Sequence, residues 1–318
     1  MWVTSSTSNV KTPTAIALGN FDGIHLGHRQ VIKPIIEFGE EYIPTLVTFT
    51  PHPQEFFSGK SRQLLTPLTE KVKRLESLEI KQLVRLPFDR SLASLGPQAF
   101  VEDILIKQLN VKYISVGQDF RFGKGREGTA EMLQELAKKF GVFVHITKLK
   151  TCVSEDSGSR ISSSRIRQCL AVGNVKQAQE MLGYPYSLEG MVVKGQQVGR
   201  SIGFPTANLQ VASEKLLPRR GVYCVRVILA TEEVINGVMN IGSRPTVNGQ
   251  VPTVEVHLLD WSGNLYGTFL RVRLEKFLRS EQKFPSLDAL KHQIMQDCIL
   301  AREILSQDFE DNGIYGIN

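Results

Sequence analysis

Short apolar runs alternate with amphipathic stretches through the first half of the chain. The runs predict five strands, at Thr14–Leu18, Thr45–Phe49, Gln82–Leu86, Tyr113–Val116 and Val142–Ile146. Apolar residues at helical spacing lie between them, in Thr69–Leu78, Pro97–Leu109 and Thr129–Phe140. This alternation predicts a parallel α/β sheet that is covered on both faces, with ligands bound beyond the carboxyl ends of the strands.

The pattern changes after Tyr186, where short apolar runs are separated by Gly, Pro and Asn. These runs are Leu188–Val193, Gly221–Leu229, Val234–Ile241, Thr253–Leu259 and Leu270–Leu274. Their spacing predicts an antiparallel sandwich or a small barrel. A terminal helix is predicted over Ser286–Leu305, with Ser286 as its N-cap. Its predicted packed face consists of Leu287, Leu290, Ile294, Ile299 and Leu300.

The boundary between the two predicted domains falls in Ala171–Tyr186. This segment predicts a short helix that Gly183 and Pro185 would end. We therefore expect one domain at 1–186 and a second at 187–318. A chain of 318 residues is long for a single core and sufficient for two.

Composition and charge change this picture only slightly. The net charge is +6, but Lys and Arg are dispersed among Asp and Glu, so we expect phosphate substrates and no nucleic-acid partner. The four cysteines have no metal-ligand spacing. The polar start lacks the apolar core of a secretory signal, and no run is long enough to span a membrane. We expect a cytoplasmic monomer or weak oligomer with no membrane partner.

The segment GNFDGIHLGH, Gly19 to His28, follows the first predicted strand. A strand, a glycine turn and a helix N-terminus together bind phosphate through unpaired N–H groups. His25 and His28 would share one face of that helix and could stabilise charge on an α-phosphate during nucleotidyl transfer. The alternative is that both are surface or capping residues. The surrounding glycines favour the phosphate site, because small residues permit close backbone approach.

Two further features qualify this site. The segment RISSSRIR, 160–167, places hydroxyl groups before arginine at a predicted helix start. Such groups bind phosphate oxygens, although serines that cap helices are also common. Pro34 should end or kink the helix that carries His28, so we expect that helix to be short.

Together these segments resemble the nucleotidylyltransferase superfamily, which shares HxGH and KMSKS-like signatures with class I aminoacyl-tRNA synthetases. TFTPHPQEFF (48–57) and VGQDFRFGKGREG (116–128) narrow the resemblance to the FAD synthetase module of the bifunctional bacterial riboflavin kinase/FAD synthetase. The resemblance implies that His25 and His28 contact the ATP phosphates and stabilise the transition state. Ser164 stands where that family usually has Thr, which keeps the hydroxyl group.

The resemblance also implies roles for residues around the histidines. The phosphate loop would be shaped by Gly19, Phe21, Asp22 and Gly23. The nucleotide or FMN pocket would be lined by Asp119 and Arg121, and the triphosphate would be closed over by Ser162, Ser163 and Arg167.

The second half carries GRSIGFPTANL, Gly199 to Leu209. Gly195, Gly199 and Gly203 make a loop that can wrap phosphates through backbone N–H groups. Thr206 and Asn208 point to the same side of an extended chain, and their oxygens suit Mg²⁺. The alternative is a β-hairpin turn with ordinary polar residues.

The segment PTVEVHLLD, Pro252 to Asp260, alternates apolar and polar residues. Glu255 lies on its polar face, where a fixed carboxylate could take the proton from an attacking hydroxyl. The alternative is a solvent-facing glutamate in an amphipathic strand. His257 shares that face without a clear role.

These two segments resemble the riboflavin kinase fold, a small antiparallel β-barrel with a C-terminal helix. The resemblance implies that Thr206 and Asn208 hold Mg²⁺ and that Glu255 is the catalytic base on the ribityl 5′-hydroxyl. NIGSRPTV (240–247) and FLRSEQKFPSLDALKHQIMQD (277–297) follow the same pattern, and the latter is where flavin contacts are expected.

The leading hypothesis is therefore a two-site enzyme. The second domain would phosphorylate riboflavin to FMN with ATP and Mg²⁺, and the first would adenylylate FMN to FAD with release of pyrophosphate. One alternative is an RNA-binding protein with a synthetase-like fold, but a basic helix or an aromatic-basic patch is lacking. Another is a flavin protein with one inactive domain, which the completeness of both motif sets disfavours.

Overall fold

The computed structural model describes residues 1–151, 160–195, 199, 202–246 and 249–311. The chain divides into two compact units, Met1–Ser163 and Ser164–Asn318. This division lies earlier than the predicted boundary segment, because two helices that precede Tyr186 group with the second unit. The domain bounds 1–186 and 187–318 stay a prediction. Within the described ranges, no helix is both long and apolar enough to cross a membrane.

The first unit is built on a six-stranded parallel sheet with the order β1-β4-β3-β2-β5-β8. Its strands are β1 Trp2–Thr4, β2 Thr14–Leu18, β3 Ile43–Thr50, β4 Gln82–Pro87, β5 Val111–Gly117 and β8 Phe143–Thr147. The two-residue strands β6 Arg121–Phe122 and β7 Gly128–Thr129 pair separately as a hairpin. All five predicted strands are confirmed, and β1 is an addition at the edge that the polar start of the chain did not predict.

The helices of this unit lie between the strands. They are α1 Leu26–Glu37, α2 Pro53–Ser58, α3 Leu68–Glu76, α4 Arg90–Ser94, α5 Pro97–Ala99 with a π-helical continuation over Phe100–Gln108, and α6 Ala130–Lys138. Single 3₁₀ turns lie at Thr7–Asn9 and Lys124–Arg126. In β2, Ile16 and Leu18 join one core cluster while Ala15 and Ala17 join another. Both faces of this strand are therefore buried, which explains its apolar run from Ala15 to Leu18.

Helix α1 contradicts the prediction that Pro34 would make it short, since it continues through Pro34 to Glu37. Proline removes the N–H that would bond to the carbonyl of Gln30, at a cost of about 3 kcal/mol. Val31, Ile32 and Ile35 are buried on the same helix. Burial of three large apolar side chains outweighs that cost, because each contributes about 1.5–3 kcal/mol.

The second unit contains a closed six-stranded antiparallel barrel with the order β10-β13-β12-β11-β14-β9. Its strands are β9 Ser187–Val193, β10 Ala207–Val211, β11 Gly221–Ile228, β12 Val234–Thr246, β13 Gly249–Leu258 and β14 Phe269–Arg279. Its helices are α7 Ser163–Val172, α8 Val175–Leu182 and α9 Leu287–Asp311. Gly183 ends α8 in the left-handed conformation with φ 73°, as the sequence predicted. Of the two architectures that the sequence predicted, a sandwich or a small barrel, the structure has the barrel.

Alternate residues of the barrel strands face inward and outward. Tyr223, Met239 and Val256 are fully buried and lie side by side in register, in the barrel interior. Their neighbours Val222, Cys224 and Val238 form the outer face and pack with α9. The outer wall is thus partly apolar, where the helix covers it, and partly polar elsewhere.

Helix α9 corrects the predicted packed face. Ser286 does cap it, since its Oγ accepts the Ala289 N–H at 3.1 Å. Leu290 and Ile294 are half-buried as expected, but Leu287, Ile299 and Leu300 are 61%, 50% and 43% exposed. Cys298, Ala301 and Leu305 form the contact with the barrel instead. The sequence pattern did not identify the packed face correctly because apolar residues occur on two faces of this helix.

This corrected face predicts different costs for two matched truncations. We expect Leu305→Ala to lower the free energy of unfolding by about 2–5 kcal/mol, because Leu305 is fully buried. Leu300→Ala should cost less than about 1 kcal/mol, because that side chain is 43% exposed. Urea unfolding followed by Trp261 fluorescence in a Trp2→Phe background measures both. Equal losses would contradict the assignment of the packed face.

Candidate active sites

The first site lies where the strand order of the parallel sheet reverses. Strands β3 and β4 follow on one side of β2, whereas β5 and β8 lie on its other side. The glycine loop follows the carboxyl end of β2, and the Asp119 segment follows the carboxyl end of the adjacent strand β5. Ligands of open α/β sheets bind at such a reversal. The topology therefore brings together the two segments that the sequence singled out separately.

The segment that precedes α3 holds the glycine loop in place through hydrogen bonds. The Asp22 carboxylate is buried, and its Oδ1 accepts the N–H groups of Leu65 at 2.9 Å and Thr66 at 3.3 Å. The Gly23 N–H donates to Thr66 Oγ1 at 2.9 Å. Asp22 thus holds the loop through its Oδ1 atom.

The same loop contains two left-handed residues that are not glycine. Phe21 has φ 48° and Ile24 has φ 38°. Such backbone conformations cost about 1–3 kcal/mol each and occur where the surroundings over-determine them. Both side chains are buried in one core cluster, at 2% and 1% exposure. Their burial stabilises a loop shape that the backbone alone disfavours.

His25 and His28 form a stacked pair at the start of α1. Their ring centroids are 3.6 Å apart, with an interplanar angle of 13°. His25 is the N-cap and not a helical residue, and its Nδ1 accepts the His28 N–H at 3.2 Å. The expectation that both lie on one helical face is therefore corrected, although the rings do meet. A Cβ at Gly27 would lie 3.3 Å from the His25 ring, so glycine there leaves room for the stack.

Burial keeps both imidazoles neutral. Desolvation, followed by the nearby Arg160 charge, lowers the pKa of His25 to about 4. Desolvation and then His25, Lys71 and Arg160 lower the pKa of His28 well below 6.5. Because His25 Nδ1 accepts a backbone hydrogen bond, the proton of its neutral ring lies on Nε2. His25 therefore offers an N–H donor rather than a positive charge.

The two residues predicted to line the pocket, Asp119 and Arg121, lie in different surroundings. Asp119 forms an ion pair with Arg160, which also acts on both histidines. Arg121 is exposed and lies in the small hairpin, opposite Thr129. The structure thus brings Asp119 to the histidine site through Arg160, a residue to which the sequence assigned no role.

The serine–arginine segment, 160–167, is divided between the two compact units. Ser163 Oγ donates to the Asp22 carbonyl at 2.8 Å, which joins this segment to the glycine loop. Ser162 is half-buried beside it. Arg167 lies on α7 within the second unit, beyond the division at Ser163.

The second site is a row of polar residues across three neighbouring barrel strands. Glu255 on β13 lies directly opposite Asn208 on β10 and opposite Asn240 on β12. Directly opposed residues point to the same face of a sheet, with Cβ atoms about 4.5–5.5 Å apart. This face is the outer wall, since Ala207 and Val256, their buried neighbours, occupy the other face. Asn240 is a candidate that the sequence missed, because its position depends on the strand register.

Glycines let the preceding segment approach this row. A Cβ at Gly195 would lie 2.2 Å from the Asn208 amide nitrogen, and one at Gly199 would lie 2.3 Å from the Phe204 carbonyl. Gly203 has φ 89°, which favours glycine over other residues. Thr206 is half-buried and precedes β10. The glycines therefore serve close packing and a turn, as well as any phosphate contact.

His257 and the metal candidates complete the second site. His257 Nδ1 hydrogen-bonds with the Pro205 carbonyl at 2.8 Å, so this histidine fixes the segment before Thr206. Across the residues that the structure describes, no group of three His, Cys, Asp or Glu side chains is suited to hold a metal. Thr206 and Asn208 are other residue types and stay candidates for Mg²⁺.

Comparisons with known proteins agree on both halves. Family models match as FAD synthetase over residues 7–165 and as riboflavin kinase over residues 182–305. Bifunctional riboflavin kinase/FMN adenylyltransferase of Escherichia coli (strain K12) is 43% identical over 91% of this chain and 91% of its own length. The protein of that name from Haemophilus influenzae is 40% identical over 91% and 93%. A solved structure named Macrolide-efflux Protein from Streptococcus pneumoniae has TM-score 0.83 and 30% identity, covering 94% of this chain and 98% of that one.

The low pKa of His25 predicts acid sensitivity of the first unit. A histidine with a depressed folded pKa stabilises the fold above pH 6.5, and this stabilisation is lost as the pH falls toward about 4. His25→Asn keeps a capping acceptor but cannot titrate. Between about pH 7.5 and pH 5, we expect the variant to lose about 2 kcal/mol less unfolding free energy than the unsubstituted chain.

Urea unfolding followed by Trp2 fluorescence in a Trp261→Phe background reports on this unit. His52 caps α2 through Nδ1 in the same way but is only half-buried, so His52→Asn is the control and should change the pH dependence less. An identical acid loss in the His25→Asn chain would refute the assignment.

Proposed function

The chain belongs to the family of bifunctional riboflavin kinases/FMN adenylyltransferases, and from this premise we propose which of its residues carry each reaction. The chain phosphorylates riboflavin to FMN with ATP, and it adenylylates FMN to FAD with release of pyrophosphate. The riboflavin kinase match covers the barrel and the FAD synthetase match covers the parallel sheet. Riboflavin, FMN and ATP are accordingly its small-molecule substrates.

In adenylyl transfer, a phosphate oxygen of FMN attacks the α-phosphorus of ATP and pyrophosphate leaves. Negative charge grows on the α-phosphate oxygens as the new bond forms. The stacked histidines support a role at this point, because His25 offers an Nε2–H donor beside the N-terminus of the twelve-residue helix α1. We assign His28 the same task. A neutral imidazole can donate an N–H hydrogen bond to the developing charge while it keeps its proton.

The residues around the histidines would bind the rest of the nucleotide. Gly19, Phe21, Asp22 and Gly23 shape the phosphate loop, since their contacts fix its backbone. Ser162, Ser163 and Arg167 would close on the triphosphate. Asp119 and Arg121 are assigned to the FMN or nucleotide pocket, and the ion pair of Asp119 with Arg160 supports its placement there.

In riboflavin phosphorylation, the ribityl 5′-hydroxyl attacks the γ-phosphorus of ATP and ADP leaves. We assign Glu255 as the base that takes the hydroxyl proton. The observation that carries this assignment is the register, which places Glu255 on the outer wall directly opposite Asn208. A carboxylate on the outer wall can meet a substrate, whereas one in the packed interior could not. Gly195, Gly199 and Gly203 would bring backbone N–H groups to the ATP phosphates.

The donor set at this site fits Mg²⁺. Thr206 and Asn208 carry oxygen donors, and Mg²⁺ prefers such hard ligands together with substrate phosphates. The hydroxyl of Thr206 and the carboxamide oxygen of Asn208 would hold the ion. When bound, Mg²⁺ neutralises charge on the transferred phosphoryl group.

Reciprocal substitutions in the full chain test the two assignments. Glu255→Gln should lower kcat for riboflavin phosphorylation by roughly 10²–10⁴-fold, because the amide cannot accept the proton. His28→Ala should lower FMN adenylylation by roughly 10²–10³-fold, because a donor to the developing charge is lost. Each should spare the other reaction. Chromatographic separation of FMN and FAD, with riboflavin or FMN supplied, measures both. Loss of both activities in a folded variant would refute two independent sites.

The magnesium assignment predicts an effect on one reaction only. Thr206→Val removes a ligand oxygen at nearly constant volume. We expect it to raise the Mg²⁺ concentration needed for half-maximal riboflavin phosphorylation by roughly tenfold, the effect of about 1.4 kcal/mol. Thr206→Ser keeps the hydroxyl group and should behave like the unsubstituted chain. An unchanged Mg²⁺ dependence in Thr206→Val would remove Thr206 from the site.

A further inference from the structure

Lys71 is a buried cation beneath the glycine loop. It lies on α3 and is 9% exposed. Its Nζ donates to the Asn20 carbonyl at 3.1 Å, and Asn20 stands between Gly19 and Phe21 in the loop. The sequence placed Lys71 in an amphipathic helix, where lysine ordinarily faces solvent.

We propose that Lys71 is a positioning residue for adenylyl transfer, whose charge next to the loop holds the Asn20 carbonyl away from the phosphates and acts electrostatically on the adjacent His28. This inference rests on the proposed role of the histidine site.

The hydrogen bond alone does not explain a lysine at this position. Thr48 Oγ1 donates to the same Asn20 carbonyl at 3.2 Å, so the oxygen already has a partner without an ammonium group. Burying a charge is unfavourable unless something compensates for it, and desolvation accordingly lowers the pKa of Lys71. The neighbouring Asp22 carboxylate opposes that shift, while Arg85 adds to it. A hydrogen bond to Asn20 does not require a charge, so the buried positive charge of Lys71 is what has to be explained.

The loop geometry supplies that explanation. An anion cradle requires carbonyl oxygens to be turned away from the ligand so that N–H groups and dipoles face it. Two loop carbonyls are held by donors from outside the loop. Lys71 and Thr48 hold that of Asn20, and Ser163 holds that of Asp22. A positive charge under the loop also attracts a polyphosphate above it.

Lys71 acts on the histidines as well. His28 is surrounded by His25, Lys71 and Arg160, and each of them disfavours its protonation. Asp22 acts in the opposite direction on His25. Removing the Lys71 charge should therefore raise the pKa of His28. The acid limb of adenylylation should then move to higher pH, because the neutral state is lost earlier as the pH falls.

Three variants of the full chain separate charge from hydrogen bonding. Lys71→Gln keeps an N–H donor for the Asn20 carbonyl but has no charge. We expect its kcat for FMN adenylylation to fall by roughly tenfold or more, with the acid limb at higher pH. Lys71→Arg keeps the charge and should retain most of the rate. Thr48→Val removes the other donor while leaving the charge, and should lower the rate less and leave the acid limb in place.

Folding of the first unit is checked by Trp2 fluorescence in a Trp261→Phe background, and riboflavin phosphorylation should be unchanged in every variant. A normal rate and acid limb in Lys71→Gln would overturn the proposal, since a hydrogen bond would then suffice. Equal effects of Thr48→Val and Lys71→Gln would also overturn it. If instead His28→Ala left adenylylation intact, the proposed histidine site itself would be wrong, which is a separate outcome.

Discussion

The carboxylate of Asp22 accepts two backbone N–H groups from the segment before α3, and the first site depends on this contact. Without it, the loop that contains left-handed Phe21 and Ile24 would relax toward ordinary backbone conformations. The hydrogen bond from Ser163 reaches the carbonyl of the same aspartate. One buried residue therefore connects the glycine loop to α3 and to the serine segment. A change in any of these would be transmitted to the stacked histidines.

The two candidate sites use different means to position their polar groups. In the parallel sheet, the candidate residues lie beyond the carboxyl ends of the strands, beside a helix N-terminus, and both imidazoles are neutral because they are buried. In the barrel, Glu255 lies along a strand, and the register with Asn208 and Asn240 sets its neighbours. Hydrogen bonds from side chains to backbone groups position the first site, whereas the pairing of neighbouring strands positions the second.

Sequence patterns predicted the regular elements and singled out the candidate segments, and they failed where tertiary contacts decide. The five strands of the first unit follow from apolar runs because both sheet faces are covered. Pro34 lies within a helix because the packing of Val31, Ile32 and Ile35 outweighs its local cost. Ile299 and Leu300 are exposed because only one face of α9 meets the barrel. Lys71 and Asn240 could be identified as candidates only from the structure. Lys71 depends on how α3 packs against the loop, and Asn240 depends on the strand register. The division at Ser163 likewise reflects packing of α7 and α8 that no local pattern encodes.

The position of Glu255 on the outer wall has an evolutionary consequence. The barrel interior, with Tyr223, Met239 and Val256, is a packed core that tolerates exchange among apolar residues of similar volume. The polar row on the outside meets a different constraint, because the segment around Gly195 packs closely against Asn208 there. Substitutions in the core and substitutions at the proposed Glu255 site therefore lie on opposite faces of the same strands. The apolar core can therefore change while the polar row is kept.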